Sequence, residues 1–118
     1  MKINVLGTEY EIVYRGHKEL RIFEDKGWEA YADSINKKII IGNLKTFPGY
    51  EDETEDYCRM CEKETLRHEI VHAFLNESGL QVCSCVPKDG WARNEEMVDW
   101  IALQFPKLLE AMKAAGCL

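Results

Sequence analysis

The feature that most constrains the fold is a long run without helix breakers. No glycine or proline occurs between Gly49 and Gly79. Because these two residue types interrupt helices most strongly, the run predicts one long helix, or two abutting helices, over residues 53–78. Asp52, with Glu55 three residues later, resembles a capping box at the start. Gly79 fits the left-handed residue that follows the end of a helix.

The chain before this run has the alternation of polar and apolar residues that is typical of strands. Gly7-Thr8 separates the first two segments, which predicts a hairpin, and Gly42 ends the last one. We expect three or four antiparallel strands, while residues 16–26 are ambiguous. The strand-like segments are residues 2–6, 9–14, 28–33 and 38–41.

Beyond the central run, residues 80–90 read as a loop that contains Cys83, Cys85 and Pro87. A second helix is predicted from about Arg93 to Phe105, and Pro106 can open a third at its first turn. Strands followed by helices indicate an α+β fold, with two C-terminal helices behind the central one. A length of 118 residues fits a single domain, residues 1–118.

The composition excludes several classes of function. A net charge of −6 argues against a nucleic-acid groove and against binding to an anionic membrane surface. The longest apolar run, around residues 38–42, is too short to span a bilayer. No signal peptide is visible at the amino terminus, so a cytoplasmic location is expected.

Residues 68–72 read His-Glu-Ile-Val-His and lie inside the predicted long helix. His68 and His72 are four residues apart, so their imidazoles project from one helix face and can reach one tetrahedral cation. Glu69 points beside that cation, where it can accept a proton from a metal-bound water. The pattern predicts a zinc site with a general base.

A catalytic zinc needs a third protein ligand. The second helix should bury one face, and Glu95 shares that face, whereas Glu96 is rotated away from it. We therefore predict Glu95 rather than Glu96 as the third ligand. Asp99, one turn further on, can accept the free N–H of a ligating histidine. The residues expected on the buried face are Val98, Ile101, Ala102 and Phe105.

These residues support a resemblance. The stretch 65–75, the Glu-Ser-Gly-Leu at 77–80 and residues 94–107 resemble phage-type minimal zincin metallopeptidases, which are similar to the ImmA/IrrE-like proteases. In gluzincins the third ligand is the Glu of a Glu-x-x-x-Asp motif, matched here by Glu95 and Asp99. The resemblance implies zinc, hydrolysis of peptide bonds in a peptide or protein substrate, and a phage or prophage setting in a bacterial host cell. It also implies a strand bordering the cleft, for which we predict residues 38–42.

Two questions stay open at this level. Larger zincins add a tyrosine or histidine that stabilises the oxyanion formed during hydrolysis. No single residue can be assigned to that role here. Five candidates remain: Tyr31, Tyr50, Tyr57, His17 and Arg93. The alternative function is a zincin-fold protein with weak or no catalysis, acting as a peptide-binding module or as a zinc-stapled structural phage protein.

The five cysteines have two interpretations. Cys58 and Cys61, with Cys83 and Cys85, could form a second metal site, such as a four-cysteine zinc site, or a redox pair. We prefer buried or free thiols, because the first pair falls on the same helix stripe as the histidines. Cys117 is expected to be an incidental thiol near a frayed end. Three tryptophans are expected in the core or along a cleft wall: Trp28, Trp91 and Trp100.

Overall fold

In the computed structural model, which describes residues 1–83 and 90–118, the N-terminal part forms a four-stranded sheet with the order β1-β2-β4-β3. The α+β class is confirmed, but the sheet is mixed rather than antiparallel. β2 and β4 are parallel, whereas the β1–β2 and β3–β4 pairs are antiparallel. The strands are β1 (Lys2–Val5), β2 (Thr8–Arg15), β3 (Ala30–Asp33) and β4 (Lys38–Gly42).

The parallel pair arises from the connection between β2 and β3. The chain leaves β2 through a short 3₁₀ turn and helix α1 (Arg21–Lys26), and forms β3 at the far edge of the sheet. A hairpin turn then returns β4 into the space between β2 and β3. β4 is thus an interior strand, like β2, and both of its faces are covered. Ile39 and Ile41 lie in one buried cluster, and Ile40 lies in the other.

Four helices and three 3₁₀ turns complete the described chain. The long central helix confirms the prediction from the breaker-free run, and Gly79 follows it at a φ of +80°. Its cap is Thr54, whose Oγ1 accepts the Tyr57 N–H at 3.1 Å, so the predicted cap at Asp52 was wrong by two residues. The helices are α1, α2 (Glu55–Glu77), α3 (Leu80–Cys83) and α4 (Glu95–Ala114), and the 3₁₀ turns are His17–Glu19, Leu44–Thr46 and Trp91–Arg93.

Helix α4 is continuous, so the prediction of two C-terminal helices meeting at Pro106 was wrong. Proline has no N–H, and within a helix it therefore leaves the carbonyl four residues earlier without its usual partner. That carbonyl belongs to Ala102, and Arg67 of α2 donates its Nε–H to it at 2.6 Å. The guanidinium thus replaces the missing backbone donor and also joins α4 to α2.

The face that α4 turns toward α2 is narrower than predicted. Val98 and Ala102 are buried and Ile101 is half-buried, but Phe105 is 50% exposed.

No described helix has both the length and the apolar content needed to cross a membrane.

The carboxyl end of α2 is fixed to the sheet through Glu77. Its carboxylate accepts the Tyr10 hydroxyl at 2.8 Å and the Thr8 hydroxyl at 3.0 Å, and it forms an ion pair with Lys37. The hydrogen bond with Lys37 is the largest cause of a lowered pKa for the Glu77 carboxyl. Because these partners come from β2 and from the β3–β4 turn, α2 is held along the sheet in one position.

Candidate metal centre

Helix α2 presents two histidines to the space between α2 and α4. His68 and His72 are one turn apart, and their Nε2 atoms are 3.0 Å from each other. Both rings are partly buried, with 21% and 17% of the side chains exposed. Burial lowers the pKa of His72, which favours the neutral imidazole that a metal ion requires.

Helix α4 brings a carboxylate to the same place. Asn94 caps this helix by accepting the Met97 N–H at 2.8 Å, so Glu95 occupies the first helical position. The Glu95 carboxylate lies 3.1 Å from His68 Nε2 and 3.3 Å from His72 Nε2. The structure therefore brings together the three residues that the sequence singled out.

The spacing of these three groups fits a single cation. Donor atoms bound to tetrahedral zinc at about 2.0–2.1 Å lie about 3.3 Å from one another. The observed separations of 3.0–3.3 Å are close to that value. Two imidazole nitrogens and one carboxylate oxygen are also a donor set that suits zinc and neighbouring transition metals. His68, His72 and Glu95 thus form a group that could hold a metal ion.

Asp99 lies on the outer side of His68, where its Oδ1 is 2.7 Å from the ring Nδ1. A carboxylate at this distance accepts a hydrogen bond from Nδ1–H, so the Nε2 of a neutral His68 keeps its lone pair directed at His72 and Glu95. Asp99 is therefore positioned to orient His68, as the Glu-x-x-x-Asp spacing predicts. Glu96 does not belong to this group.

Glu69 is the one buried charged residue among those described, with 8% of its surface exposed. The backbone N–H of Ala32 in β3 lies near its carboxylate and acts to lower its pKa. Burial raises the Glu69 pKa to about 7, while the proximity of His68 acts in the opposite direction. A carboxyl group with a pKa near neutrality exchanges protons readily at neutral pH, which suits a general base.

These residues line one cavity of about 690 Å³ between α2, α4 and the sheet. The strand along it is β3, because residues 27–32 and Ser34 belong to the cavity wall. The prediction that residues 38–42 border the cleft was wrong, since β4 lies between β2 and β3 and has no free edge. Trp28 also lines the cavity, whereas Trp91 and Trp100 are more than half exposed outside it.

The five candidates for an oxyanion group lie in different surroundings. Tyr31 lines the cavity, but its ring packs edge-on against Phe23. Tyr50 donates its hydroxyl to Glu29, and Arg93 donates to the carbonyl of Gln81. The other two have partners elsewhere: His17 packs against Phe47, and the Tyr57 hydroxyl interacts with Cys61, which raises the Tyr57 pKa. In the described part of the chain, no hydrogen bond joins any of the five to His68, His72 or Glu95.

Cys58 and Cys61 have the buried or half-buried surroundings predicted for thiols on this stripe of α2. Cys58 is buried against Phe23 and Leu44, and burial raises the pKa of its thiol. Cys61 is half-buried, and Cys117 is an exposed free thiol. The second half of the predicted four-cysteine site, the Cys83 side chain and Cys85, lies outside the described residues.

Comparisons with protein-family models, with curated proteins and with solved structures find no match to this chain. The functional interpretation therefore depends on the geometry of the site itself.

Proposed function

We propose that this protein is a zinc-dependent metallopeptidase that hydrolyses peptide bonds. The observation that carries the proposal is the placement of four groups in one cavity. His68, His72 and Glu95 have donor atoms within reach of a single cation, and the buried carboxyl of Glu69 lies beside them. Three protein ligands leave a fourth tetrahedral position for water or substrate, which is the arrangement of catalytic rather than structural zinc sites.

The ion and the protein have separate roles in this proposal. Zinc supplies a Lewis acid that polarises the scissile carbonyl and lowers the pKa of water toward 7. Glu69 takes the proton from the attacking water and then delivers it to the leaving amine. Asp99 keeps His68 in the tautomer whose Nε2 can bind the metal.

The free edge of β3 supports a peptide as the substrate. β3 pairs with β4 on one side only, and the Ala32 N–H on the other side reaches Glu69. Because backbone groups alternate along a strand, Ala30 faces the same open edge as Ala32. An extended peptide that adds to this edge would pass directly over the candidate metal ligands His68, His72 and Glu95.

Hydrolysis of an unstructured protein substrate such as casein tests the proposal. The zinc-loaded protein is expected to cleave it, a chelator to stop cleavage, and added zinc to restore it. Glu69→Gln is expected to retain one zinc per chain and to lose most of the activity. The matched control is Glu110→Gln, which changes an exposed carboxylate of α4 outside the cavity. Cleavage that continues in Glu69→Gln would disprove the assigned base.

The same measurements address a second candidate, a peptide-binding module without turnover. It is favoured by one observation: among the described residues, none of the five oxyanion candidates is hydrogen-bonded to His68, His72 or Glu95. In that case peptides would bind to the zinc-loaded protein and be recovered intact.

A further inference from the structure

Two walls of the cavity, β3 and α2, run in the same direction along the chain. The cleft therefore has two distinguishable ends. Near the start of α2, Glu29 is bonded to Tyr50, which packs with Cys61 of the helix in one cluster. In the middle, Ala32 meets Glu69, and at the end Lys37 pairs with Glu77. Moving along β3 from its first residue therefore means moving along α2 from its first turns.

The two ends differ in charge. At the end near the start of β3, the cavity is lined by Trp28, Glu29 and Glu64. Glu64 lies one turn before His68, so it projects from the same helix face as the metal group. The opposite end is lined by neutral side chains, which are Ser34, Asn76 and Gln81.

The cavity lining as a whole is acidic. Its carboxylates are those of Glu29, Glu64, Glu69, Glu95 and Asp99, and no lysine or arginine belongs to the described lining. A divalent cation offsets only two of these charges. The excess negative charge is concentrated at the end with Trp28, because the described residues that line the other end have neutral side chains.

The acidic end is built around a fixed carboxylate. Tyr50 donates its hydroxyl to Glu29 Oε1 at 2.7 Å. The backbone of Glu29 is also fixed, since its carbonyl accepts the Gly42 N–H at 2.7 Å. Gly42 is required there, because a Cβ would lie 2.5 Å from the Phe47 ring. The neighbouring Trp28 ring already binds a cation, the Lys26 ammonium, 4.5 Å from its centroid.

We propose that the cleft selects extended peptides with a lysine or arginine beside the scissile bond, and that Glu29 and Glu64 determine this specificity. This inference rests on the proposed function. A peptide that pairs antiparallel with β3, the more stable ladder, runs from the Ser34 end toward the Glu29 end. The basic residue therefore lies on the carboxyl side of the scissile bond. The carboxylates of Glu29 and Glu64, one on each wall, pair with its charge.

Binding of labelled peptides to Glu69→Gln, measured by fluorescence anisotropy with and without zinc, tests the inference without requiring turnover. Three peptides have equal length and differ only in the two residues that follow the central peptide bond. These two residues are both lysine in the first peptide, both alanine in the second and both glutamate in the third. A fourth peptide carries the lysines before that bond. We expect the first lysine peptide to bind about three- to tenfold more tightly than the alanine peptide, and the glutamate peptide to bind most weakly.

Variants of the same protein assign the effect to the two walls. Glu29→Gln and Glu64→Gln are each expected to remove much of the lysine preference, and Glu64→Lys to reverse it. Glu110→Gln, the same change on an exposed part of α4 outside the cavity, is expected to leave it intact. Equal binding of all peptides, or a preference that survives both wall variants, would overturn the proposal. Tighter binding of the peptide with lysines before the bond would overturn the antiparallel direction.

The outcome is separable from that of the proposed function. A lysine preference without cleavage by the wild-type protein would reject the peptidase and keep the specificity. Cleavage without a charge preference would support the peptidase and reject the proposed specificity.

Discussion

The Nδ1 of His68 and the Oδ1 of Asp99 are 2.7 Å apart, across the interface between α2 and α4. This contact joins a predicted metal ligand to a residue 31 positions later in the chain. It also makes the position of α4 part of the candidate metal site, because the same helix supplies Glu95.

Removal of the Asp99 carboxylate is expected to weaken zinc binding. Without an acceptor at Nδ1, His68 is no longer held in the binding tautomer, and losses of about 10–100-fold in affinity are typical for such partners. Asp99→Ala should show the full loss, and Asp99→Asn, which keeps an oxygen acceptor, a smaller one. Competition with a chromophoric zinc chelator measures both affinities. Glu96→Gln is the matched control, and an equal loss there would indicate a general charge effect.

The contact between Arg67 and the Ala102 carbonyl predicts a dependence on Pro106. Arg67→Ala leaves that buried carbonyl without a donor, which is expected to lower the free energy of unfolding by about 1–3 kcal/mol. In a Pro106→Ala background the restored backbone N–H can serve Ala102, so the same substitution should cost less. Urea unfolding of the four proteins measures the coupling between the two sites. An identical cost in both backgrounds would show that Arg67 acts elsewhere.

The Glu77 carboxylate predicts a stability difference that depends on pH. Its folded-state pKa is lowered from 4.5, chiefly by the hydrogen bond from Lys37. A lowered pKa means that the stabilisation is fully present above the unfolded pKa and is lost as the pH falls through the folded one. Glu77→Gln is therefore expected to lower the urea midpoint at neutral pH and to match the wild type in strong acid. A midpoint difference of the same size in acid would contradict this, and Glu110→Gln serves as the exposed control.

The environment of Cys58 predicts a thiol that reacts slowly. Alkylation followed by mass spectrometry of each cysteine peptide should label Cys117 quickly and Cys58 only after unfolding, since burial suppresses the thiolate. Rapid labelling of Cys58 in the folded protein would contradict the structure. A second zinc per chain that is lost in Cys58→Ser would instead support the four-cysteine site.

The parts of the site that follow from local geometry could be predicted from the sequence. The spacing of His68 and His72 places both rings on one face of any helix, and the apolar face of the second helix selected Glu95 over Glu96. The class of fold followed from the change in periodicity between the two halves of the chain.

The parts that depend on distant partners could not be predicted. β3 became the cleft strand because β4 was inserted between β2 and β3, and strand order is set by tertiary pairing. Pro106 is tolerated because Arg67, from another helix, supplies the missing donor. Glu29 and Glu64 carry no signal in the sequence, since surface carboxylates are common and only the fold shows that these two face one cavity.

X-ray absorption of the zinc-loaded protein tests the central claim most directly, because it reads the atoms bound to the metal. We predict one zinc per chain, with two imidazole nitrogens and oxygen ligands at about 2.0–2.2 Å and no sulfur. His72→Ala should remove one imidazole from that spectrum. A sulfur shell at about 2.3 Å, or a spectrum unchanged in His72→Ala, would place the zinc elsewhere and contradict the account.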